Sequence, residues 1–313
     1  INSIGYDISA FNVLLSRAKT QDYDIDKVTY EINDALTKFR KLTNQDSNNS
    51  QIPLWESEKI GKELSTDNEY LNNWFAPRSL FELLAYRKII IENEYEYSDL
   101  LKIILSRSAR SARLVKHYDL DFPKEPQYGP YECYKHSKIC TPVQEAYKFI
   151  KRYSKDTIQR ITEYSTVKTD ASTKVFHENS AKANFPPIDG VITSPPYVGL
   201  IDYHEQHIYA YHLLDLEDRR EEEIGPAENG KSQSAKEDYK DLLSIVFSNA
   251  ARSMTDDGVM IVIAGDKYDL YDDIAEDAGL EVEAVVKRHV NRRTGRRSSK
   301  FYEKVFIWRK NSL

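Results

Sequence analysis

The first twenty residues change from an apolar run to a helical pattern. Residues 3–8 form a short, largely apolar segment that contains Asp7 near its end. From Ala10 to Ala18 the apolar side chains recur at the spacing of an amphipathic helix. This pattern predicts a buried strand that ends in a carboxylate and leads directly into a helix. Residues 20–70 are polar, and their periodicity is too weak to place elements.

Helical periodicity dominates the middle of the chain. It predicts one amphipathic helix within residues 77–95 and another within 100–114. Residues 121–142 are rich in proline and aromatic side chains, which indicates an ordered irregular loop. Thr141, Pro142 and Gln144 then supply an N-cap, a first-turn proline and a capping-box glutamine. We therefore expect a long helix to begin there.

Short strands alternate with helices after Tyr164. The pattern predicts a helix over residues 237–254 and strands over 174–177, 188–193, 259–264, 280–289 and 301–308. Such alternation is typical of an α/β protein with a doubly wound, Rossmann-like sheet. We expect that sheet to end in a C-terminal antiparallel hairpin. Residues 1–20 and 169–313 then form the α/β domain, and residues 21–168 form a largely helical insertion.

Composition excludes several classes of protein. The chain has 313 residues, enough for a sizeable core without crosslinks, and two cysteines, too few for a disulfide framework. No apolar run approaches the roughly 18 residues that span a bilayer. A reduced, cytoplasmic protein is the simplest expectation. The formal net charge of −6 argues against a protein that coats nucleic acid nonspecifically, so any such contact depends on local basic clusters.

The strongest chemical signal is the segment Thr193-Ser194-Pro195-Pro196-Tyr197, which follows a predicted strand. Methylating an exocyclic base amine is difficult because its nitrogen lone pair is delocalised into the ring. Hydrogen bonds from that amine to the Ser194 side chain and the Pro195 carbonyl would concentrate the lone pair on nitrogen. The prolines stiffen the loop, and Tyr197 is suited to stack on a flipped base. The structural alternative is a plain Pro-Pro turn with a packed tyrosine.

This loop resembles motif IV of the N4-cytosine and N6-adenine DNA methyltransferases, and its serine form is more similar to the cytosine enzymes. The strand over residues 259–264 and the final hairpin resemble the catalytic half of the same family, and the resemblance covers about half of the chain. It implies S-adenosylmethionine as cofactor and double-stranded DNA as substrate. Residues 1–20 would be part of the cofactor site, residues 21–168 a target-recognition insertion, and residues 169–313 the catalytic part.

The resemblance also implies cofactor-binding residues. Asp7, at the end of the first strand, would accept hydrogen bonds from the ribose hydroxyls, unless Asp7 or Ser9 simply caps the following helix. Glu178 and Asn179 follow the strand over residues 174–177, where the family has an acid that faces the adenine. Asn179 is equally suited to a turn. Thr193, which opens the loop, completes the predicted cofactor set.

One expected segment is missing. The family carries a Phe-x-Gly-x-Gly segment before the strand that ends at Asp7, and this sequence contains no such segment. By resemblance, the segment was removed or is disordered, or a second polypeptide supplies it. In the last case the enzyme is split between two subunits, and this chain alone should bind the cofactor poorly.

Basic side chains suggest where DNA binds. The tip of the final hairpin carries a dense run of cations, more than solubility requires, which includes Arg288, Arg292, Arg293, Arg296 and Arg297. A second group, Arg107, Arg110 and Arg113, recurs on one predicted helical face. A structural ion-pair network is an equal alternative for that group. His204 lies close enough in sequence to the catalytic loop to touch DNA.

Cys133, His136 and Cys140 invite a zinc interpretation. Three candidate ligands without a clear fourth, at a non-standard spacing, favour buried thiols beside an aromatic loop instead. His204 and His207 are spaced too closely for a zinc-protease helix. We therefore expect no metal.

These observations combine into one hypothesis and several alternatives. The hypothesis is a site-specific methyltransferase that flips a cytosine and methylates its N4 amine, with a cognate restriction enzyme as a possible companion. Methylation of adenine at N6 uses the same geometry. Related loops also serve enzymes that methylate RNA or a protein glutamine amide, although those lack so large an insertion. A non-catalytic DNA-recognition subunit of a methyltransferase complex is the remaining alternative.

Overall fold

The computed structural model describes residues 1–43, 64–121, 123–198, 202–226, 230, 232–290 and 301–311. The chain divides into two compact units, each built from several segments. The helical unit contains Ile1–Gly5, Ser9–Phe176 and His204–Asp218, and the sheet unit contains Tyr6–Ile8, His177–Tyr203 and Arg219–Leu313. Within the described part of the chain, no helix combines the length and apolarity needed to cross a membrane.

Most helices belong to the helical unit. In chain order they are α1 (Ala10–Thr20), α2 (Ile25–Leu42), α3 (Glu69–Trp74), α4 (Pro77–Glu92), α5 (Ser98–Ala112), α6 (Tyr147–Ser165), α7 (Tyr203–Gln206) and α8 (Ile208–Leu214). The predicted helices over residues 77–95 and 100–114 are thus confirmed as α4 and α5. Helix α2 lies in the polar stretch that gave no clear prediction, and Asp24 caps it by accepting a hydrogen bond from the Lys27 amide.

The core of the helical unit shows why α1 and α8 belong to it. Phe11, Leu14 and Ala18 of α1 lie in one apolar cluster with buried residues of the other helices, and Leu213 of α8 joins them. The structure therefore differs from the expected division of the chain, which placed residues 1–20 and 204–218 in the α/β domain. Helices α1 and α8 belong to the helical unit because their apolar faces are buried against its other helices.

Two buried glutamates cap helices that lie elsewhere in the sequence. Glu31 of α2 accepts hydrogen bonds from the amides of Glu96 and Tyr97 at the start of α5. Glu82 of α4 accepts them from Ala146 and Tyr147 at the start of α6. The prediction that this long helix begins at Thr141 is therefore wrong. Its orphan amides are satisfied by a carboxylate from another helix instead of by the local capping motif.

The strands form three separate sheets in the described residues. The bounds are β1 (Ser3–Asp7), β2 (Tyr131–Cys133), β3 (Lys138–Cys140), β4 (Thr173–His177), β5 (Ile188–Thr193), β6 (Met254–Ala264), β7 (Leu280–Val290) and β8 (Phe301–Lys310). Strands β1 and β4 pair with each other, and hydrogen bonds from Ser3 to Ser172 and from Glu178 to Asp7 show that they run in the same direction.

The four-stranded sheet of the sheet unit has the order β5-β6-β8-β7. Strand β5 is parallel to β6, whereas β8 is antiparallel to both of its neighbours, β6 and β7. The chain is therefore a mixed α/β protein as predicted, and β7 and β8 form the expected antiparallel pair. Strands β1 and β4 form their own sheet, so a single doubly wound sheet is not seen among the described residues.

Two helices, α9 (Gln233–Ser253) and α10 (Tyr271–Asp277), pack on the four-stranded sheet. Strand β6 alternates along its length: Met260 and Val262 are fully buried, whereas the intervening Ile261 is partly exposed. Trp308 of β8 joins the buried side. The helix layer therefore covers one face of the sheet, and this face supplies the core that supports β5.

Candidate active site

The Ser-Pro-Pro-Tyr segment leaves the carboxyl end of β5. Strand β5 is held in register by β6, in which Thr193 pairs with Val262 and Gly190 pairs with Val259. A Cβ atom on Gly190 would lie 2.6 Å from the Val259 carbonyl oxygen, so only glycine permits this close approach. The predicted strand and the position of the loop are thus confirmed. Ligands of parallel α/β sheets bind at this edge.

The loop presents its serine and buries its first proline. Ser194 is exposed, Pro195 is buried, and Pro196 and Tyr197 are half-buried. The exposed Ser194 therefore precedes two positions at which the φ angle is fixed. This arrangement is compatible with the predicted acceptor role of Ser194, whose side chain also forms a hydrogen bond with Tyr197.

Tyr239 of α9 braces the loop from the core. Its hydroxyl donates a 2.8 Å hydrogen bond to the carbonyl oxygen of Pro196, and it lies 2.7 Å from the hydroxyl of Tyr271. Burial raises the pKa of Tyr239, and the Tyr271 hydroxyl opposes that shift. The bond holds the Pro196 carbonyl, one residue after Pro195, whose carbonyl is the predicted second acceptor. Sequence reasoning missed Tyr239 because nothing in its local sequence marks it.

Glu303 of β8 fixes the aromatic residue of the loop. The Tyr197 hydroxyl donates a 2.8 Å hydrogen bond to one Glu303 oxygen, and Arg288 of β7 donates to the other at 2.6 Å. Burial and the Glu303 carboxylate raise the pKa of Tyr197 to about 12, and a hydrogen bond with Ser194 acts in the opposite direction. Tyr197 is therefore neutral at physiological pH and held by one edge. Glu303 is a second residue that the sequence did not reveal.

Acidic and phenolic side chains gather around Asp7. Ser9, and not Asp7, is the N-cap of α1, because its side chain accepts a hydrogen bond from Asn12. The pKa of Tyr203 is raised by burial and then by the charges of Asp7 and Glu223. Glu178 donates its backbone amide to the Asp7 carbonyl and is exposed. The structure thus removes the local capping role that competed with a binding role for Asp7.

Asn179 adopts the turn that was its alternative interpretation. Its side-chain oxygen accepts a hydrogen bond from the Ala181 amide at 2.9 Å, and its side-chain amide donates to Glu222 at 2.8 Å. Hydrogen bonds from Asn179 and Arg219 lower the pKa of Glu222 to about 2. The side-chain oxygen that was expected to face an adenine amine is therefore engaged within the turn.

His204 is not available for the predicted DNA contact. Its side chain is 0% exposed, and its ring packs 4.8 Å from that of Tyr211. The physical reason is that the His204 ring is enclosed within the helical unit, where it packs on Tyr211 of α8. Proximity in sequence to the Thr193–Tyr197 loop did not indicate exposure.

The arginines of α5 form the structural network that was their alternative role. Arg107 pairs with Asp156 at 2.6 Å and stacks 4.3 Å from the centre of the Tyr153 ring. Arg110 pairs with Asp121. Arg113 is only 3% exposed, and burial lowers its pKa. The prediction that these three bind DNA is therefore not supported, because their guanidinium groups hold this part of the helical unit together.

The basic hairpin is described only at its base. Arg288 is exposed and contacts Glu303, the partner of Tyr197. The other predicted DNA-binding residues of this segment, Arg292, Arg293, Arg296 and Arg297, lie outside the described residues. The Glu303 carboxylate therefore connects the base of the basic hairpin to the Ser194–Tyr197 loop.

A separate polar cluster lies in the helical unit. The two cysteines and the histidine that the sequence analysis considered, Cys133, His136 and Cys140, are joined by His117. The ligand atoms of all four lie within 4.8 Å of one another. Sequence reasoning missed His117 because it is distant in the chain and belongs to no recognisable spacing motif.

The fold and the braced loop together define an α/β enzyme whose site lies at the carboxyl end of a parallel strand. No family model matches the chain. The chain is, however, 34% identical over 373 aligned positions to the Type II methyltransferase M.MjaII of Methanocaldococcus jannaschii, and the alignment covers 98% of this chain and 70% of that protein. The chain therefore belongs to the Type II methyltransferase family, and it is a DNA methyltransferase as predicted.

Proposed function

We propose that the protein transfers a methyl group from S-adenosylmethionine to the exocyclic N4 amine of a cytosine flipped out of duplex DNA. The observation that carries the proposal is the exposed Ser194 on a loop braced by Tyr239 and Glu303 at the end of β5. Ser194, in place of the acidic or amide residue typical of adenine enzymes, favours cytosine. S-adenosylmethionine supplies an activated methyl group, so no covalent enzyme intermediate is needed.

Ser194 and Pro195 position the amine in this proposal. The Ser194 side chain and the Pro195 carbonyl accept its two hydrogen bonds and draw the nitrogen toward tetrahedral geometry. Preorganisation matters because ordering a mobile acceptor costs conformational entropy, and this cost offsets part of the free energy of its hydrogen bond. Pro196 contributes stiffness, and the bond from Tyr239 holds its peptide in place.

Tyr197 positions the base. A tyrosine ring held by its hydroxyl at Glu303 is fixed at one edge, so its face is oriented before the base arrives. The raised pKa of Tyr197 keeps its hydroxyl a donor to Glu303. The ring therefore acts by stacking and not as a base in the reaction.

The proposed cofactor site contains Asp7, Glu178, Asn179 and Thr193. Asp7 fits the ribose hydroxyls best, because it ends β1, is half-buried and is not used as a helix cap. Asn179 fits less well through its oxygen, which Ala181 engages. Thr193 ends β5 directly before the loop. In this proposal the carboxylate of Asp7 is the main determinant of cofactor orientation.

We also propose that the Phe-x-Gly-x-Gly segment reaches the enzyme as a strand along the outer edge of β5. Among the described strands β5 lies at the end of its sheet and pairs with β6 on one side. The backbone N–H and C=O groups along the other side of an edge strand are a site for pairing with another segment. That pairing would make β5 an interior strand, as a doubly wound methyltransferase sheet requires. A second polypeptide is one source of that strand.

Arg288 and the arginines of the basic hairpin are the proposed DNA contacts. Their charge suits the phosphate backbone, which positions a protein without specifying sequence. A cognate restriction enzyme is the expected companion of such an activity in the cell.

The test is to express the complete gene, with its neighbouring genes, in a host free of N4-methylcytosine and to analyse the nucleosides of its DNA by mass spectrometry. We expect N4-methylcytosine with the wild-type protein and its loss by orders of magnitude with Ser194→Ala. Ser234→Ala, which changes an exposed serine on α9, is the matched control. Detection of N6-methyladenine instead would show that the target base is adenine and not cytosine. Full activity of Ser194→Ala would support a non-catalytic DNA-recognition role.

A further inference from the structure

The β2–β3 hairpin brings three potential metal ligands together. Its register pairs Cys133 with Lys138 and Tyr131 with Cys140. Directly paired residues of an antiparallel hairpin point to the same face, as do residues two apart along a strand. Both thiols therefore project from one face. His136 lies in the connecting turn, where its amide donates to the Cys133 carbonyl at 3.1 Å.

The ligand atoms are spaced as around one metal ion. The Nδ1 atom of His136 lies 3.6 Å from the Cys133 sulfur and 3.4 Å from the Cys140 sulfur. Sulfur and nitrogen ligands of a tetrahedral zinc ion, bound at about 2.3 and 2.0 Å, are about 3.5 Å apart. Both distances match this edge of the tetrahedron.

His117 supplies the fourth ligand from outside the hairpin. Its backbone amide donates to the Tyr131 hydroxyl at 2.7 Å, and its ring lies 4.8 Å from the ring of His136. Its Nδ1 atom is buried and has no hydrogen-bond partner among the described residues. Burying a polar atom without a partner is unfavourable, so this nitrogen points to a ligand.

Among the described residues, the apolar cluster of the hairpin is small. Its apolar cluster consists of Tyr131, Cys133 and Cys140, with Tyr118 packed against it. Two of these three buried residues are the thiols themselves, and both are free. So small a core rarely stabilises a hairpin without a metal or a crosslink.

We propose that His117, Cys133, His136 and Cys140 bind one zinc ion as a structural site of the helical unit. Two thiolates and two imidazoles are a donor set that selects zinc in tetrahedral geometry. Four protein ligands leave no open position, so the ion holds the segment around His117 to the hairpin and takes no part in methyl transfer. The expectation of no metal, which rested on the missing fourth ligand, is replaced by this proposal.

Metal analysis of the full-length protein, purified without chelators or metal-affinity resin, tests the site. We expect one zinc per chain in the wild type and less than a fifth of that in Cys133→Ser and His117→Ala. Glu132→Gln, which changes an exposed carboxylate in the same hairpin, is the control and should retain the metal. Full zinc content in His117→Ala would overturn the four-ligand site.

Cobalt substitution keeps the test independent of variants that fail to fold. The Co²⁺-loaded wild type should show the intense visible bands of a tetrahedral ion with thiolate ligands. His117→Cys should retain the metal and strengthen the thiolate charge-transfer band, since it only exchanges one ligand type. A folded, metal-free wild type, or a Cys133–Cys140 disulfide found by mass spectrometry of protein purified under reducing conditions, would refute the proposal.

Discussion

The Tyr239 hydroxyl donates a 2.8 Å hydrogen bond to the carbonyl oxygen of Pro196 and so ties the Ser194–Tyr197 loop to helix α9. Tyr239 is 2% exposed, so the donor of this bond is buried, whereas Pro196 is half-buried. A residue in the core thus sets the position of a loop that faces solvent. The loop is therefore held by this contact as well as by the fixed φ angles of its prolines.

Tyr239→Phe should lower kcat about three- to tenfold, because a buried hydrogen bond is worth roughly 0.5–1.5 kcal/mol. The ring and its packing remain, so the circular dichroism spectrum should be unchanged. Single-turnover methylation measures the effect. Tyr268→Phe is the control, since the Tyr268 ring packs under Lys236 and its aromatic face is retained. Wild-type kcat in Tyr239→Phe would show that the brace does not contribute.

Stability should fall at alkaline pH because of buried tyrosines. Burial and then the neighbouring Tyr239 raise the pKa of Tyr271 above its ordinary value. An unfolded tyrosine ionises near pH 10. The stability that this group contributes is therefore complete below about pH 10 and is lost as pH rises toward the higher folded pKa. Each such tyrosine should cost about 1.4 kcal/mol per pH unit in that window.

Urea unfolding at a series of pH values above neutrality measures this loss. Tyr271→Phe removes one of the titrating groups, so its stability should decline less steeply above about pH 10 than that of the wild type. Equal slopes for both proteins would mean that Tyr271 ionises in the folded state as easily as in the unfolded chain.

Glu82→Ala should destabilise the protein by about 3 kcal/mol, because it leaves the buried amides of Ala146 and Tyr147 without their acceptor. Glu92→Ala, in the same helix, is the matched control. It removes only an exposed pair with Lys88 and should cost less than about 0.5 kcal/mol. Denaturant unfolding compares the two. Similar losses in both variants would contradict the capping role of Glu82.

Arg288→Ala should weaken DNA binding and reduce the slope of log affinity against log salt by about 0.9, the value of one phosphate contact. Arg107→Ala should leave that slope unchanged and lower stability instead, because Arg107 is engaged by Asp156 and Tyr153. Fluorescence anisotropy with duplex DNA over a range of salt concentrations measures both. An unchanged slope in Arg288→Ala would remove this residue from the DNA contact.

The local sequence predicted an element correctly where the bounds of that element depend on its own residues. Strand β5 has the predicted bounds, Ile188–Thr193, because its apolar run and the following prolines define both ends. The Thr193–Tyr197 loop could be placed after this strand for the same reason. Gly190 could be placed on that strand, but its close approach to Val259 became apparent only when β6 was in register.

Contacts between residues far apart in the chain explain the features that local sequence patterns predicted wrongly. The capping motif at Thr141 is present in the sequence, but α6 begins at Tyr147, where Glu82 reaches its amides. Arg113 and His204 carry the charge and position expected of DNA contacts, yet both are buried. Burial depends on which helix faces meet, and no single segment contains that information.

The amino-acid sequence by itself located the Thr193–Tyr197 loop, the alternation of strands and helices, and the resemblance to a methyltransferase family. Only the tertiary structure decided what surrounds the loop and the two cysteines: Tyr239 and Glu303 beside the loop, and His117 beside the cysteines. The physical reason is that a loop's composition is local, whereas its supporting contacts join residues far apart in the chain. Those contacts form only when the apolar faces of distant elements are buried together.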